Sequence, residues 1–132
     1  MTYVTDTSPL VYFATDQMRR LGPRAARIFR RAEAQRDRIH VPVICLFEVA
    51  QLLERRRVRT RLDLPEWHAL LTRQASLPLE PLTWEDVREA SGLAGLVDPF
   101  DRLIAGTAIR LDAPLITADE RIRDSGLLPT VW

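Results

Sequence analysis

The chain has no lysine. All 19 of its basic residues are arginine, so every cationic contact is made by a guanidinium, the planar fork that suits phosphates. There is one cysteine, Cys45, which excludes an internal disulfide and fits a reducing cytoplasm. No apolar run approaches the ~18 residues that a membrane span needs. The opening MTYVTDTSPLVYF carries no basic segment ahead of an apolar one, so no signal peptide is expected. Low-complexity tracts are also missing, which argues against disorder. Net charge is only +1, so bulk charge does not announce a nucleic-acid binder. The arginines nonetheless cluster. Arg55, Arg56, Arg57, Arg59 and Arg61 form one block, and Arg19 through Arg38 hold eight more.

What is present is 132 residues, 46% of them hydrophobic and evenly spread, enough for one domain over residues 1–132 with a sizeable core. Cys45 lies in the apolar run VPVICLF and reads as a small buried hydrophobe. Strand-like and helix-like segments alternate. A strand is expected at Tyr3–Thr5, then a helix capped by Ser8 with Pro9 in its first turn and broken at Gly22-Pro23. An arginine-rich amphipathic helix follows, with Ala26, Ile28, Phe29 and Ala32 on its apolar side. A β-branched strand at Ile39–Ile44 precedes a helix through Leu46, Val49, Ala50 and Leu53. Another helix opens at Leu64-Pro65. A short strand at Leu79–Leu82 leads into the capping-box pattern Thr83–Asp86. Asp98-Pro99 starts a helix reaching about Leu111. Pro114–Thr117 is the next strand, Thr117–Glu120 repeats the capping-box pattern, and Leu128–Trp132 closes as an edge strand. This alternation predicts an α/β fold: a mostly parallel sheet flanked by helices on both faces.

Ligands of such sheets sit beyond the carboxyl ends of the strands. Acids recur at those places. Asp6 follows the first strand, and with Ser8 available as cap it has no evident structural duty. Glu48 follows the second, in a helix polar only at Glu48 and Gln51 between Leu46 and Leu53. Such helices are usually buried, and a buried carboxylate needs a partner. Asp98 is an N-cap candidate. Asp101 heads the stripe Ile104, Ala105, Ala108. Asp119 follows the fourth strand, beside Thr117, whose hydroxyl can cap the helix or bond a neighbouring carboxylate. Carboxylates brought together repel, and at least one has its pKa raised. A hard divalent cation, Mg²⁺ or Mn²⁺, resolves that conflict better than zinc. His40 and His68 are not placed to build a zinc site with Cys45. The Asp-x-Asp of a haloacid-dehalogenase-type phosphatase is missing, because Asp6-Thr7-Ser8 has no second acid.

The segments VTDTSPLVYF, VPVICLFEVAQLL, DPFDRLIAGTA and LITADERI, with the terminal Val131-Trp132, resemble the PIN domain across essentially the whole chain. Within it they are similar to VapC-type toxins of bacterial type II toxin–antitoxin systems, in the subgroup marked by DPFDR. The resemblance implies a Mg²⁺/Mn²⁺-dependent endoribonuclease, a homodimer, held inactive by a cognate VapB-like antitoxin and meeting DNA only through it. Asp6, Glu48, Asp101 and Asp119 match the family's acidic quartet, and Asp98 a further acid of the subgroup. The metal is then held mainly by Asp6 and Asp101, with Asp119 or Glu48 completing the shell. Arginines near the site, Arg102 among them, are expected to hold the RNA backbone. Leu96 stands where the subgroup often has histidine, and Ser8 where asparagine or histidine commonly follows Asp-Thr. Two other readings stay open: a PIN ribonuclease of RNA maturation that is not a toxin, and a catalytically weak antitoxin-binding module.

Overall fold

The computed structural model describes residues 1–132 and contains five strands and seven α-helices. In chain order these are β1 (Thr2–Thr5), α1 (Thr7–Ala14), α2 (Pro23–Glu33), β2 (Arg38–Pro42), α3 (Val43–Glu54) and α4 (Leu64–Thr72). They continue as β3 (Leu79–Glu80), α5 (Trp84–Ser91), α6 (Pro99–Arg110), β4 (Leu115–Ile116), α7 (Glu120–Asp124) and β5 (Thr130–Val131). A single 3₁₀ turn at Met18–Arg20 separates α1 from α2.

All strand pairs are parallel, in the spatial order β3-β2-β1-β4-β5. Successive residues of a strand point to opposite faces. Val4 and Thr5, and likewise Leu115 and Ile116, are fully buried, so both faces of the central strands are covered. The expected α/β fold with helices on both sides is therefore what the chain adopts. Strands β1 to β3 build the sheet in one direction, and β4 then returns to the other side of β1. That reversal opens a crevice between the carboxyl ends of β1 and β4, where doubly wound sheets bind ligands.

Local chemistry explains most boundaries. α2 opens on Gly22-Pro23 and buries Ala25, Ala26, Ile28, Phe29 and Ala32, the face its periodicity predicts. Capping boxes start α4 (Asp63 with Glu66) and α5 (Thr83 with Asp86). Gly106 allows α5 to lie directly on α6, since a Cβ there would stand 2.6 Å from the Asp86 carbonyl oxygen. Cys45 is buried among core residues, and its thiol faces the Thr5 carbonyl at 3.6 Å. No helix is long and apolar enough to cross a membrane.

Four expectations need correction. Ser8 does not cap α1: Asp6 does, because the strand ends at Thr5 and the helix begins at once, leaving Ser8 exposed inside the first turn. Nor does α1 reach Gly22, for it stops at Ala14, where Asp16 takes a left-handed φ of 58°. Thr117 does not cap α7, a role filled by Asp119. Finally, α3 is not buried all round. Val43 and Phe47 are 41% and 55% exposed, because α4 covers only part of its outer side.

Candidate active site

The carboxylates singled out in the sequence stand at one edge of the sheet, tied together by two threonines. Asp6 uses one oxygen, Oδ1, to accept from the Thr7 backbone N–H at 2.8 Å, capping α1. Its other oxygen, Oδ2, accepts from the Thr117 hydroxyl at 2.7 Å, across 111 residues of sequence. Thr117 is fully buried and also accepts from the Asp119 N–H at 3.1 Å. On the opposite flank the Thr7 hydroxyl donates to Glu48 Oε1 at 2.7 Å. An arc of hydrogen bonds thus runs Glu48, Thr7, Asp6, Thr117, Asp119, joining three separate strand–helix units. Each link follows from local sequence: an Asp-Thr pair at the end of β1, a threonine at the end of β4, and Glu48 in the second turn of α3.

Asp101 completes the group from the first turn of α6. Asp98 caps that helix, its Oδ1 accepting from Phe100 N–H at 2.9 Å and Asp101 N–H at 3.0 Å. The carboxylate of Asp101, by contrast, receives no hydrogen bond from the protein. Burial raises its pKa to about 7, helped by repulsion from Asp6, Asp98, Asp119 and Glu48. Burial also pushes Asp6 up, against the lowering effect of its bonds from Thr117 and Thr7, with Asp119 and Asp98 adding repulsion. Glu48 is raised for the same reasons: burial first, opposed by the Thr7 hydroxyl and reinforced by Asp6 and Asp98. Five acids from four parts of the chain therefore feel one another's charge.

They stop short of a closed shell. No three His, Cys, Asp or Glu side chains are gathered tightly enough to enclose an ion by themselves. The donor set still suits one: it is all oxygen, it is anionic, and Asp101 has no competing donor to displace.

The flanking residues divide. Arg102 does not reach into the site. Its Nε donates to the Ala90 carbonyl at 3.0 Å and its Nη2 to the Ser91 carbonyl at 3.3 Å, so it seals the carbonyl end of α5. Leu96 is buried in the core and lines a small cleft with Asp98 and Asp101. Arg121 lines the same cleft and contacts Asp119 Oδ2 at 3.4 Å. Sequence reading passed over Arg121, although its place two residues after Asp119 was a usable signal. It also passed over Thr7. Away from the site, His40 pairs with Glu80, and Arg110 joins Glu80 to the fully buried Asp86; His68 is exposed.

Comparison with known proteins bears on the family and the fold. Residues 3–126 match the PIN domain family. No curated protein matched the sequence. Among solved structures, the chain is similar to that of VapBC2 from Rickettsia felis bound to a promoter DNA fragment. The TM-score is 0.70 at 16% identity, covering 99% of this chain and 98% of that one. DNA-bound VapBC from Salmonella typhimurium gives 0.67 at 13% identity, covering 99% and 97%. A toxin–antitoxin complex from Klebsiella pneumoniae gives 0.63 at 15%, covering 97% and 96%.

Proposed function

Because the chain belongs to the PIN domain family, we propose that it is a metal-dependent endoribonuclease and the toxin of a VapBC-type pair, residues 1–132 forming its nuclease domain. The observation that carries the reading is Asp101: a carboxylate without a hydrogen-bond donor, among four other acids, with its pKa driven to about 7. A divalent cation relieves the repulsion among these acids and gives Asp101 a partner.

In this reading Asp6, Asp101, Asp119 and Glu48 hold Mg²⁺ or Mn²⁺. The bound cation supplies charge neutralisation at the scissile phosphate and acidifies a nearby water. Thr117 and Thr7 fix the carboxylates of Asp6 and Glu48, so that these oxygens need no reorganisation when substrate arrives. A carboxylate of the set orients the attacking water and accepts its proton. Asp98 keeps the N-terminus of α6, and with it Asp101, in place. Arg121 is the guanidinium nearest the acids and serves the phosphate.

The partners follow from the same assignment: an RNA substrate, a second copy of the chain, and a VapB-like antitoxin through which DNA is met. Their support is the solved neighbours, which are toxin–antitoxin assemblies, together with the exposed apolar face of α3 and α4 at Val43, Phe47 and Leu64. The cytoplasm, suited to a protein whose lone thiol is reduced and buried, is the compartment proposed. The test is cleavage of RNA by the purified chain with Mn²⁺. Wild type should cut, and Asp6→Asn and Asp101→Asn should not. Undiminished cutting by either variant would falsify the assignment.

A further inference from the structure

A groove of about 610 Å³ lies between α1 and the end of α3. Ser8, Tyr12 and Thr15 line one wall; Leu52, Arg57 and Arg59 line the other. Ser8 follows Thr7, the residue that holds Glu48, and Leu52 lies one turn beyond Glu48 on the same face of α3. The groove therefore begins where the acidic arc ends. From Ser8 to Thr15 it follows α1 for about 10 Å.

Both walls are closed by the same device. α1 and α3 end in left-handed residues, Asp16 (φ 58°) and Arg56 (φ 53°). The next N–H in each case returns to a groove residue: Gln17 to the Tyr12 carbonyl at 2.7 Å, and Arg57 to the Leu52 carbonyl at 2.9 Å. These turns carry Arg20 and Arg57 to the groove from opposite sides. Arg20 lies over the Tyr12 ring at 4.4 Å and bonds Gln17. The groove contains three arginines and no acid. Arg31, Arg110 and Arg121 are each engaged by a carboxylate, whereas Arg20, Arg57 and Arg59 have none.

We infer that this groove seats the phosphodiester backbone of single-stranded RNA next to the scissile linkage. The inference rests on the ribonuclease reading of the neighbouring acids. Guanidinium forks without carboxylate partners fit phosphate oxygens. The exposed Ser8 hydroxyl can pair with a ribose 2′-hydroxyl, whereas Thr15 and Gln17 bond each other at 2.6 Å and brace the wall that carries Arg20. A strand leaving the acids, where its own charge is repelled, is drawn toward the adjacent positive wall.

The experiment is binding of a fluorescent single-stranded RNA, in EDTA so that nothing is cut, by wild type and by an Arg57→Ala/Arg59→Ala double variant across a salt series. Both arginines are exposed and unpaired, so the fold is kept. Two lost phosphate contacts on a single strand reduce the slope of log K against log salt by about 1.4, and lower affinity about tenfold at 0.15 M salt. Arg24→Ala/Arg27→Ala, on the exposed face of α2 away from the groove, should leave both unchanged. Equal affinity and slope in wild type and the Arg57/Arg59 variant overturn the groove. So does an acidic peptide that binds through these arginines and is not displaced by RNA. Arginine-dependent RNA binding by a wild-type protein that cuts no RNA with Mn²⁺ would leave the groove standing and remove the nuclease reading instead.

Discussion

Replacing Asp101 with asparagine removes one negative charge from a place where five acids meet, and keeps the shape. The consequence for stability follows from linkage. Asp101 has an ordinary value of 3.8 and is raised to about 7 in the fold. Between those values the folded protein binds more protons than the unfolded chain, so stability falls as pH rises, and the loss levels off above about pH 7. The full difference corresponds to about 4 kcal/mol, an upper bound. Asp101 is partly open to solvent, and screening brings the expected cost to about 1–2 kcal/mol. At pH 8 without divalent ions, Asp101→Asn should therefore melt roughly 3–8 °C above wild type, and the gap should close toward pH 4. Saturating Mn²⁺ should reverse the order. Wild type gains about 2.7 kcal/mol at one hundred times its dissociation constant, while the variant lacks the ligand that makes the gain. The assay is differential scanning calorimetry at pH 4, 6 and 8, with EDTA or Mn²⁺. A variant that melts below wild type at pH 8 in EDTA would show that Asp101 is not strained by its neighbours, and one that gains as much from Mn²⁺ would show that it is not a ligand.

Thr117→Val keeps the volume of a buried residue and removes the hydroxyl that holds Asp6; it should lower activity or Mn²⁺ affinity by about 10–100-fold, read from a metal titration of cleavage rate. Gly106→Ala places a methyl against the α5 backbone and should cost about 1–3 kcal/mol; an unchanged unfolding midpoint in urea would contradict that close packing. Arg110→Ala strands the fully buried Asp86 and should destabilise by about 3 kcal/mol or more, with Asp86→Asn in the same chain recovering part of the loss.

The alternation of elements was legible because period-2 and period-3.6 patterns are local, and so was the parallel sheet they imply. Asp98, Thr83 and Pro23 announced their helices by chemistry confined to a few residues. The caps of α1 and α7 were not legible. Which of Asp6 or Ser8, and which of Thr117 or Asp119, becomes the cap depends on where the strand stops, and pairing with a distant strand decides that. With Ser8 as the expected cap, Asp6 reads in the sequence as an acid freed for function. In the fold it both caps α1 and faces Thr117. The exposure of Val43 and Phe47 was invisible for a similar reason: helix hydrophobicity states what a face prefers, not whether a neighbour arrives to cover it. Arg102 looked available beside Asp101, yet the carbonyls of α5 claim it through tertiary packing.

The bond from Thr117 to Asp6 also bears on the order in which the site is assembled. Asp6 and Thr117 are 111 residues apart in the chain, so the two sides of the crevice are synthesised well apart in time. A growing chain that has not reached residue 115 has no β4 beside β1, no hydroxyl on Asp6 and no Asp119. Its acids share no common site, and the carboxylates meet only once β4 and Asp119 have emerged.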